Sequence, residues 1–153
     1  MFFGTHENKV DRKGRVSVPA DFRQVLAPEN FTGIVAFPSY RAPAIEACGI
    51  SFMERLNESV SDVDLFSEQH DELTATIFAT SKRLSFDVDG RVILPEELLE
   101  TAGITDRAAF VGKGQMFQIW EPGALKQHLA ETRQRAREKG LTLSLRQKSG
   151  GAS

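Results

Sequence analysis

The chain contains a nine-residue motif twice, and this internal repeat constrains the fold more than any other feature of the sequence. The first copy reads DRKGRVSVP over residues 11–19, and the second reads DVDGRVILP over residues 87–95. Asp, Gly, Arg, Val and Pro recur at the same five offsets, so position 87 corresponds to position 11, 76 residues earlier. Apolar residues further along the chain match at the same separation, as Phe22 does with Leu98. The spacing predicts two halves of similar length that arose by duplication.

Each half is predicted to have the same order of secondary-structure elements around its motif. A strand enters the motif at residues 8–10 and 83–86. A second strand leaves it at residues 15–18 and 91–94, where alternating apolar residues indicate a half-buried strand. The proline of each motif then opens a short helix, because its missing N–H is no loss in the first turn. A hairpin and a further helix complete each half, which predicts an α+β fold.

The segments outside the two halves are predicted to be a linking helix and a tail. Residues 64–81 are typical of a helix with an apolar stripe that is expected to pack in the core, formed by Leu65, Phe66, Leu73, Ile77 and Phe78. Apolar periodicity is lost after Thr132, which predicts a frayed helix followed by disorder. The predicted division is a first domain at 1–60, a linking helix at 61–81, a second domain at 82–130 and a basic, disordered tail at 131–153.

Composition and charge exclude several classes of protein. The net charge is −2, but Lys and Arg cluster beside the first motif and in the tail, so the total does not exclude nucleic acid as a partner. A single cysteine, Cys48, rules out an intramolecular disulfide framework. No run approaches the roughly 20 apolar residues of a membrane helix, and residues 1–7 lack the features of a signal peptide. A cytoplasmic protein with no membrane partner is therefore expected.

The motif has the residues of a tight, rigid turn. Its aspartate, Asp11 or Asp87, can accept backbone N–H bonds from residues two or three positions on. Its glycine, Gly14 or Gly90, can adopt a positive φ, which a side chain disfavours. These four residues are the predicted turn-shaping positions.

Arg15 and Arg91 are predicted to contact DNA, because a guanidinium held at a rigid corner can bond a phosphate or the O6/N7 edge of guanine twice. Arg12 and Lys13 are predicted to add DNA contacts beside Arg15. The alternative is a surface turn in which Asp and Arg merely pair, and it would suffice for one copy alone. Both residues recur although the intervening pair changes from Arg-Lys to Val-Asp, which favours the functional interpretation.

The two motifs resemble those of the MraZ family, whose domains are of the SpoVT/AbrB type. Phe2 and the pattern FVG…FQIW within residues 110–120 add to the resemblance, which covers about residues 1–130. It implies pseudo-symmetric, β-rich halves intertwined into one barrel-like core with flanking helices, and a homo-oligomer closed as a ring. It also implies a nucleoid-associated transcriptional regulator. Such a protein binds double-stranded DNA at short tandem repeats in the promoter of its own division and cell-wall gene cluster. Asp89 replaces Lys13 in the second motif, which predicts a less basic loop that binds DNA more weakly.

Two alternatives to a transcriptional regulator remain open. One is an AbrB-type antitoxin that neutralises a toxin with its tail, although such proteins usually carry one motif per chain. The other is a structural ring protein without specific DNA binding. No convergent acid–base or nucleophile set appears, so no enzyme, small-molecule substrate or cofactor is predicted. His6, His70 and His128 lie too far apart for metal-ligand spacing, and no metal site is predicted.

Overall fold

Pairs of strands are followed by one or two helices along the chain in the computed structural model, which describes residues 1–147. This part of the chain contains eight β-strands and five α-helices. In chain order they are β1 (Thr5–Lys9), β2 (Arg15–Ser17), α1 (Ala20–Leu26), β3 (Gly33–Pro38), β4 (Ile45–Cys48), α2 (Ile50–Val60), α3 (Glu68–Ile77), β5 (Lys82–Ser85), β6 (Arg91–Ile93), α4 (Glu96–Ala102), β7 (Arg107–Gly112), β8 (Phe117–Trp120) and α5 (Pro122–Lys139). Residues Met1–Pro122 form one compact unit, and a second unit begins at Gly123.

The two halves are interleaved in one six-stranded antiparallel sheet with the order β1-β7-β8-β4-β3-β5. β1 of the first half pairs with β7 of the second, and β5 of the second half pairs with β3 of the first. The β4–β8 pair joins the halves again at the centre of the sheet. The predicted α+β class is confirmed. The barrel-like closure is not confirmed, because among the described residues the sheet runs from an edge at β1 to an edge at β5.

An approximate twofold symmetry relates the halves. The sheet order maps onto itself when β1, β3 and β4 are exchanged with β5, β7 and β8. A separate two-stranded sheet, β2–β6, has the same symmetry, with Val16 paired to Val92. The corresponding central pair of the large sheet is Glu46 and Gln118, and Gln118 Nε2 donates to Glu46 Oε1 at 2.9 Å. The twofold axis therefore passes through these two pairs.

One face of the β2–β6 ribbon is anchored in the core. Val16 and Val18 are buried, whereas Arg15 and Ser17 alternate with them on the outward face. Four aromatic rings pack in the same core with neighbouring centroids between 4.9 and 6.1 Å apart, and they belong to Phe2, Phe22, Phe110 and Phe117. Such aromatic pairs contribute ~0.5–1.5 kcal/mol each beyond the burial of their area. The ribbon is therefore held rigidly from its inner side.

Short helices follow each motif, as predicted. α1 and α4 begin directly after Pro19 and Pro95, whose φ angles are −51° and −59°. α4 ends before Gly103, which has a φ of 64° and provides a left-handed C-cap. These helix limits follow from local backbone preferences of proline and glycine.

The linking helix is shorter than predicted, and its apolar stripe is only partly buried. α3 begins after Ser67, whose hydroxyl accepts a backbone N–H and caps the helix. Leu65 and Phe66 precede it and are 64% and 91% exposed, so the expected core packing is wrong for these two residues. Ile77 and Phe78, at the other end, pack against a small buried cluster. The stripe therefore leaves an apolar surface at its N-terminal end.

The last helix continues into the predicted tail. α5 ends at Lys139, so the first part of the segment 131–153 is a helix, and the disorder predicted for the whole tail is wrong for this part. Hydrogen bonds between side chains four residues apart, as from Gln134 to Glu138, support this polar helix. Residues 148–153 of the predicted tail lie outside the described residues.

Candidate nucleic-acid interface

The first motif forms a turn that is closed by hydrogen bonds to Asp11. Asp11 Oδ1 accepts the backbone N–H groups of Lys13 and Arg15, each at 2.9 Å. Asp11 Oδ2 accepts Arg15 Nε at 2.6 Å. Gly14 has a φ of 84°, and its N–H donates to the Asp11 carbonyl oxygen at 3.0 Å. One carboxylate thus shapes the turn and restrains the arginine that follows it.

The second motif forms the same turn around Asp87. Asp87 Oδ1 accepts the N–H groups of Asp89 and Arg91 at 2.8 and 3.0 Å, and Oδ2 accepts Arg91 Nε at 2.8 Å. Gly90 has a φ of 76° and donates its N–H to the Asp87 carbonyl oxygen at 3.1 Å. The two turns have matching hydrogen bonds, although the residues between Asp and Gly differ.

The carboxylates of both Asp–Arg pairs are ionised at neutral pH. The pKa of Asp11 and of Asp87 lies below the ordinary value of 3.8, chiefly because each carboxylate accepts the backbone N–H of the arginine four residues on. The hydrogen bond from its side chain to Asp87 raises the pKa of Arg91. The paired side chains are 34–39% exposed. Exposed ion pairs contribute little to folding, so the main effect of the pairing is to orient the guanidinium.

The two turns lie at opposite ends of one ribbon because β2 and β6 pair antiparallel. The Leu94 N–H donates to the Gly14 carbonyl oxygen at 2.9 Å, and the Val18 N–H donates to the Gly90 carbonyl oxygen at 3.2 Å. A Cβ on Gly14 would lie 2.6 Å from the Leu94 carbonyl oxygen, so this close approach requires glycine. Each turn is therefore attached to a strand of the other half.

The outward face of this ribbon, called here the ribbon face, carries four side chains. They are Arg15 and Ser17 from β2 and Arg91 and Ile93 from β6. Arg15 lies opposite Ile93, and Arg91 lies opposite Ser17, on either side of the central valine pair. The tertiary structure thus brings the two predicted arginines onto one face. A two-stranded ribbon is narrow enough to enter the major groove of DNA.

The two arginines have different electrostatic surroundings. Among the described residues Arg15 forms an ion pair with Asp11 alone, and exposed Arg12 and Lys13 lie in the turn beside it. Arg91 is paired with the carboxylate of the second turn, and in addition its Nη2 lies 3.4 Å from Asp89 Oδ2. The second guanidinium is therefore neutralised more fully than the first.

Arg23 of α1 is a cation beside the second turn that the sequence analysis missed. Its Nε donates to the Val18 carbonyl oxygen at 3.1 Å, and a Cβ on Gly90 would lie 2.7 Å from its guanidinium carbon. The equivalent position of the second half holds Leu99, which lies near the glycine of the first turn. Arg23 thus restores positive charge to the turn that Asp89 makes less basic. The sequence signal that could have identified Arg23 is that the equivalent residue of the second half is a leucine.

The other candidate residues do not form a site within residues 1–147. No group of three or more His, Cys, Asp or Glu residues in this part of the chain could hold a metal ion. His6 packs edge-on against the Phe22 ring, with centroids 5.3 Å apart. Burial raises the pKa of the Cys48 thiol to about 12, which keeps it protonated at neutral pH. None of the helices described combines the length and apolarity needed to cross a membrane.

Known proteins are similar to this chain over most of its length. A family model described as "MraZ protein, putative antitoxin-like" matches residues 1–39 and 77–146. The chain is 51% identical over 136 residues to "Transcriptional regulator MraZ" of Rickettsia bellii (strain OSU 85-389), an alignment that covers 89% of this chain and 91% of that protein. It is 47% identical over 143 residues to the protein of the same name in Rickettsia akari (strain Hartford), covering 94% and 96% of the two chains. Both turns lie within the segments that the family model matches.

Proposed function

The chain belongs to the MraZ family, and we propose that it is a transcriptional regulator, as its relatives are named, which acts by binding DNA. It recognises short tandem repeats in the promoter of its own division and cell-wall gene cluster. It works in the cytoplasm, associated with the nucleoid, and uses no cofactor or metal.

The observation that carries this proposal is the presence of two carboxylate-held arginines on one ribbon face. A free arginine side chain loses about 2 kcal/mol of rotamer entropy when it is ordered. The hydrogen bonds of Arg15 to Asp11 and of Arg91 to Asp87 remove part of that freedom before DNA binds. Each guanidinium can then donate two hydrogen bonds to O6 and N7 of a guanine while the ribbon lies in the major groove.

The remaining cations near the ribbon face contact phosphates. Arg12 and Lys13 are exposed in the first turn, and Arg23 lies against the second. Contacts of this kind fix the register of a protein on the duplex without reading its sequence. They also supply the local positive charge that the net charge of −2 conceals.

Binding to tandem repeats involves several copies of the chain in a homo-oligomer that closes as a ring. Head-to-tail contacts that close give rings. The exposed Leu65 and Phe66 are an apolar surface that supports such a contact. Once one protomer is bound, the linked protomers have a high effective concentration at the neighbouring repeats. Contacts that are individually weak therefore give high overall affinity.

Gel-shift titration of the DNA upstream of the gene tests the proposed function. We expect binding to a segment with regularly spaced repeats, and weaker binding to the same bases in shuffled order. Equal affinity for both duplexes would contradict sequence-specific regulation. Light scattering should give a mass larger than a dimer, and a monomer at micromolar concentration would contradict the ring.

A second candidate function, neutralisation of a toxin, is supported by the antitoxin-like description of the family model. The two motifs of this chain lie in one compact unit, whereas AbrB-type antitoxins usually carry one motif per chain, which favours the regulator. Gene deletion distinguishes the two. Lethality that disappears when a neighbouring gene is also removed would support the antitoxin.

A further inference from the structure

Ile93 is an exposed apolar side chain on an otherwise polar ribbon face. It is 56% exposed. Among the exposed large hydrophobic residues of the described chain, it is the only one that lies in a β-strand. Its neighbours Val92 and Leu94 are each 1% exposed and already complete the inner face. The core therefore does not explain an isoleucine at this position.

Ile93 also breaks the twofold symmetry of the ribbon face. The two arginines occupy equivalent positions, but the residue equivalent to Ile93 is Ser17. Arg15 therefore has an isoleucine opposite it, and Arg91 has a serine. A symmetric face would favour an inverted repeat, because operator symmetry mirrors protein symmetry. Because only one end of the ribbon face carries an apolar side chain, the face can distinguish the two directions along the duplex.

We propose that Ile93 is a specificity-determining residue that contacts the 5-methyl group of a thymine next to the guanine bound by Arg15. This inference rests on the proposed function, because it requires the ribbon to lie in the major groove. The thymine methyl is the apolar group that base pairs present there. Side chains directly opposite on antiparallel strands have Cβ atoms ~4.5–5.5 Å apart, and base pairs rise by ~3.4 Å. Arg15 and Ile93 can thus reach neighbouring base pairs.

The charges around Ile93 favour DNA over a protein partner. Arg15 lies opposite it, and Arg91 lies on the same strand and face. A protein surface that covered Ile93 would also desolvate these guanidinium groups, which is unfavourable unless new partners replace the lost water. On DNA, the guanidinium groups form hydrogen bonds to bases and phosphates. At one end of the ribbon Arg15 then binds a guanine that has a thymine next to it. At the other end Arg91 binds a guanine, and the side chain opposite it is Ser17. This difference sets the direction in which the ribbon lies on each direct repeat.

Uracil substitution tests the contact, because uracil differs from thymine only in lacking the 5-methyl group. The probe is the shortest upstream duplex that the wild-type chain prefers to shuffled DNA, synthesised with uracil at each thymine in turn. At one position per repeat, uracil should weaken binding about fourfold, the effect of exposing one methyl-sized group. Ile93→Ser, which copies the residue at position 17, should bind the thymine duplex about fourfold more weakly for each repeat bound and show no uracil effect. Ile93→Val should keep the uracil effect.

Val88→Ser is the matched control, because Val88 is a fully exposed apolar residue of the second turn outside the ribbon face. It should respond to uracil as the wild type does. The inference would be overturned if uracil still weakened binding of Ile93→Ser, or if uracil had no effect on the wild type. Either result would leave the proposed function standing. Failure to prefer the upstream duplex would instead overturn the proposed function. A smaller oligomer of Ile93→Ser with unchanged base discrimination would assign Ile93 to a contact between copies and overturn the inference.

Discussion

Val16 and Val92 face each other at the centre of the β2–β6 ribbon, one from each copy of the repeated motif. Both side chains are 1% exposed, so the ribbon is anchored in the core at the point where the halves meet. Arg15 and Arg91 adjoin this pair on opposite strands. The DNA-contacting surface proposed for this chain is therefore assembled from both halves, and neither half contains it alone.

Arg15→Ala should abolish specific DNA binding and leave the fold intact. Loss of a bidentate base contact costs ~1–3 kcal/mol per copy, and an oligomer on repeated sites multiplies this loss. Gel shifts measure binding, and circular dichroism checks the fold. Arg41→Ala, which removes an exposed arginine outside the ribbon face, should bind as the wild type does. Undiminished binding by Arg15→Ala would refute the assignment of this residue.

Arg91→Ala should weaken binding less than Arg15→Ala. Asp89 lies 3.4 Å from Arg91 Nη2 and already neutralises part of its charge, whereas Lys13 occupies the matching position beside Arg15. Asp89→Lys should tighten binding and steepen the log–log salt dependence by roughly 0.9 for one additional phosphate contact. Salt titrations of the three variants provide the measurement. Equal losses for the two alanine variants would show that the turns are equivalent.

Arg23→Leu should flatten the salt dependence of DNA binding by roughly 0.9 in the log–log slope for each copy bound. Leucine occupies the equivalent position 99, so the substitution has a structural precedent in the same chain. The reverse change, Leu99→Arg, should steepen the slope by bringing a guanidinium near the first turn. An unchanged slope for Arg23→Leu would show that this arginine is only a structural neighbour of Gly90.

Gly14→Ala should destabilise the protein more than Gly103→Ala. Both glycines have a positive φ, which costs an alanine ~1–2 kcal/mol. Only at Gly14 would the added Cβ also approach a backbone atom, the Leu94 carbonyl oxygen at 2.6 Å, whereas nothing lies within 4 Å at Gly103. Urea unfolding of both variants gives the two free energies. Equal values would mean that the close approach of the strands contributes nothing.

Acid should remove the stabilisation that Asp11 and Asp87 provide. Their pKa values are lower in the folded chain than the ordinary 3.8. The stabilisation is therefore fully present above pH 3.8 and is lost as the pH falls through the folded pKa values. The difference in unfolding free energy between the wild type and Asp11→Asn should be constant from pH 7 to about 4 and shrink below. A difference that grows on acidification would contradict this sign.

Local features of the structure could be predicted from the sequence because they depend on residues close together in the chain. The turn at Asp11 is closed by bonds within four residues, and the left-handed cap at Gly103 depends on one glycine. The alternation that buries Val16 and exposes its neighbours follows from the two-residue period of a strand. The repeat itself predicted that the second half would have the same elements as the first.

Tertiary structure alone decided which strands pair and which side chains meet across the halves. The order β1-β7-β8-β4-β3-β5 depends on hydrogen bonds between distant segments, which no local pattern specifies. Arg23 lies over Gly90 only because α1 of one half packs beside the turn of the other. In the same way, antiparallel register sets Ile93 opposite Arg15. Backbone preferences act over a few residues, whereas the pairing of strand edges and the burial of apolar faces depend on the whole chain at once.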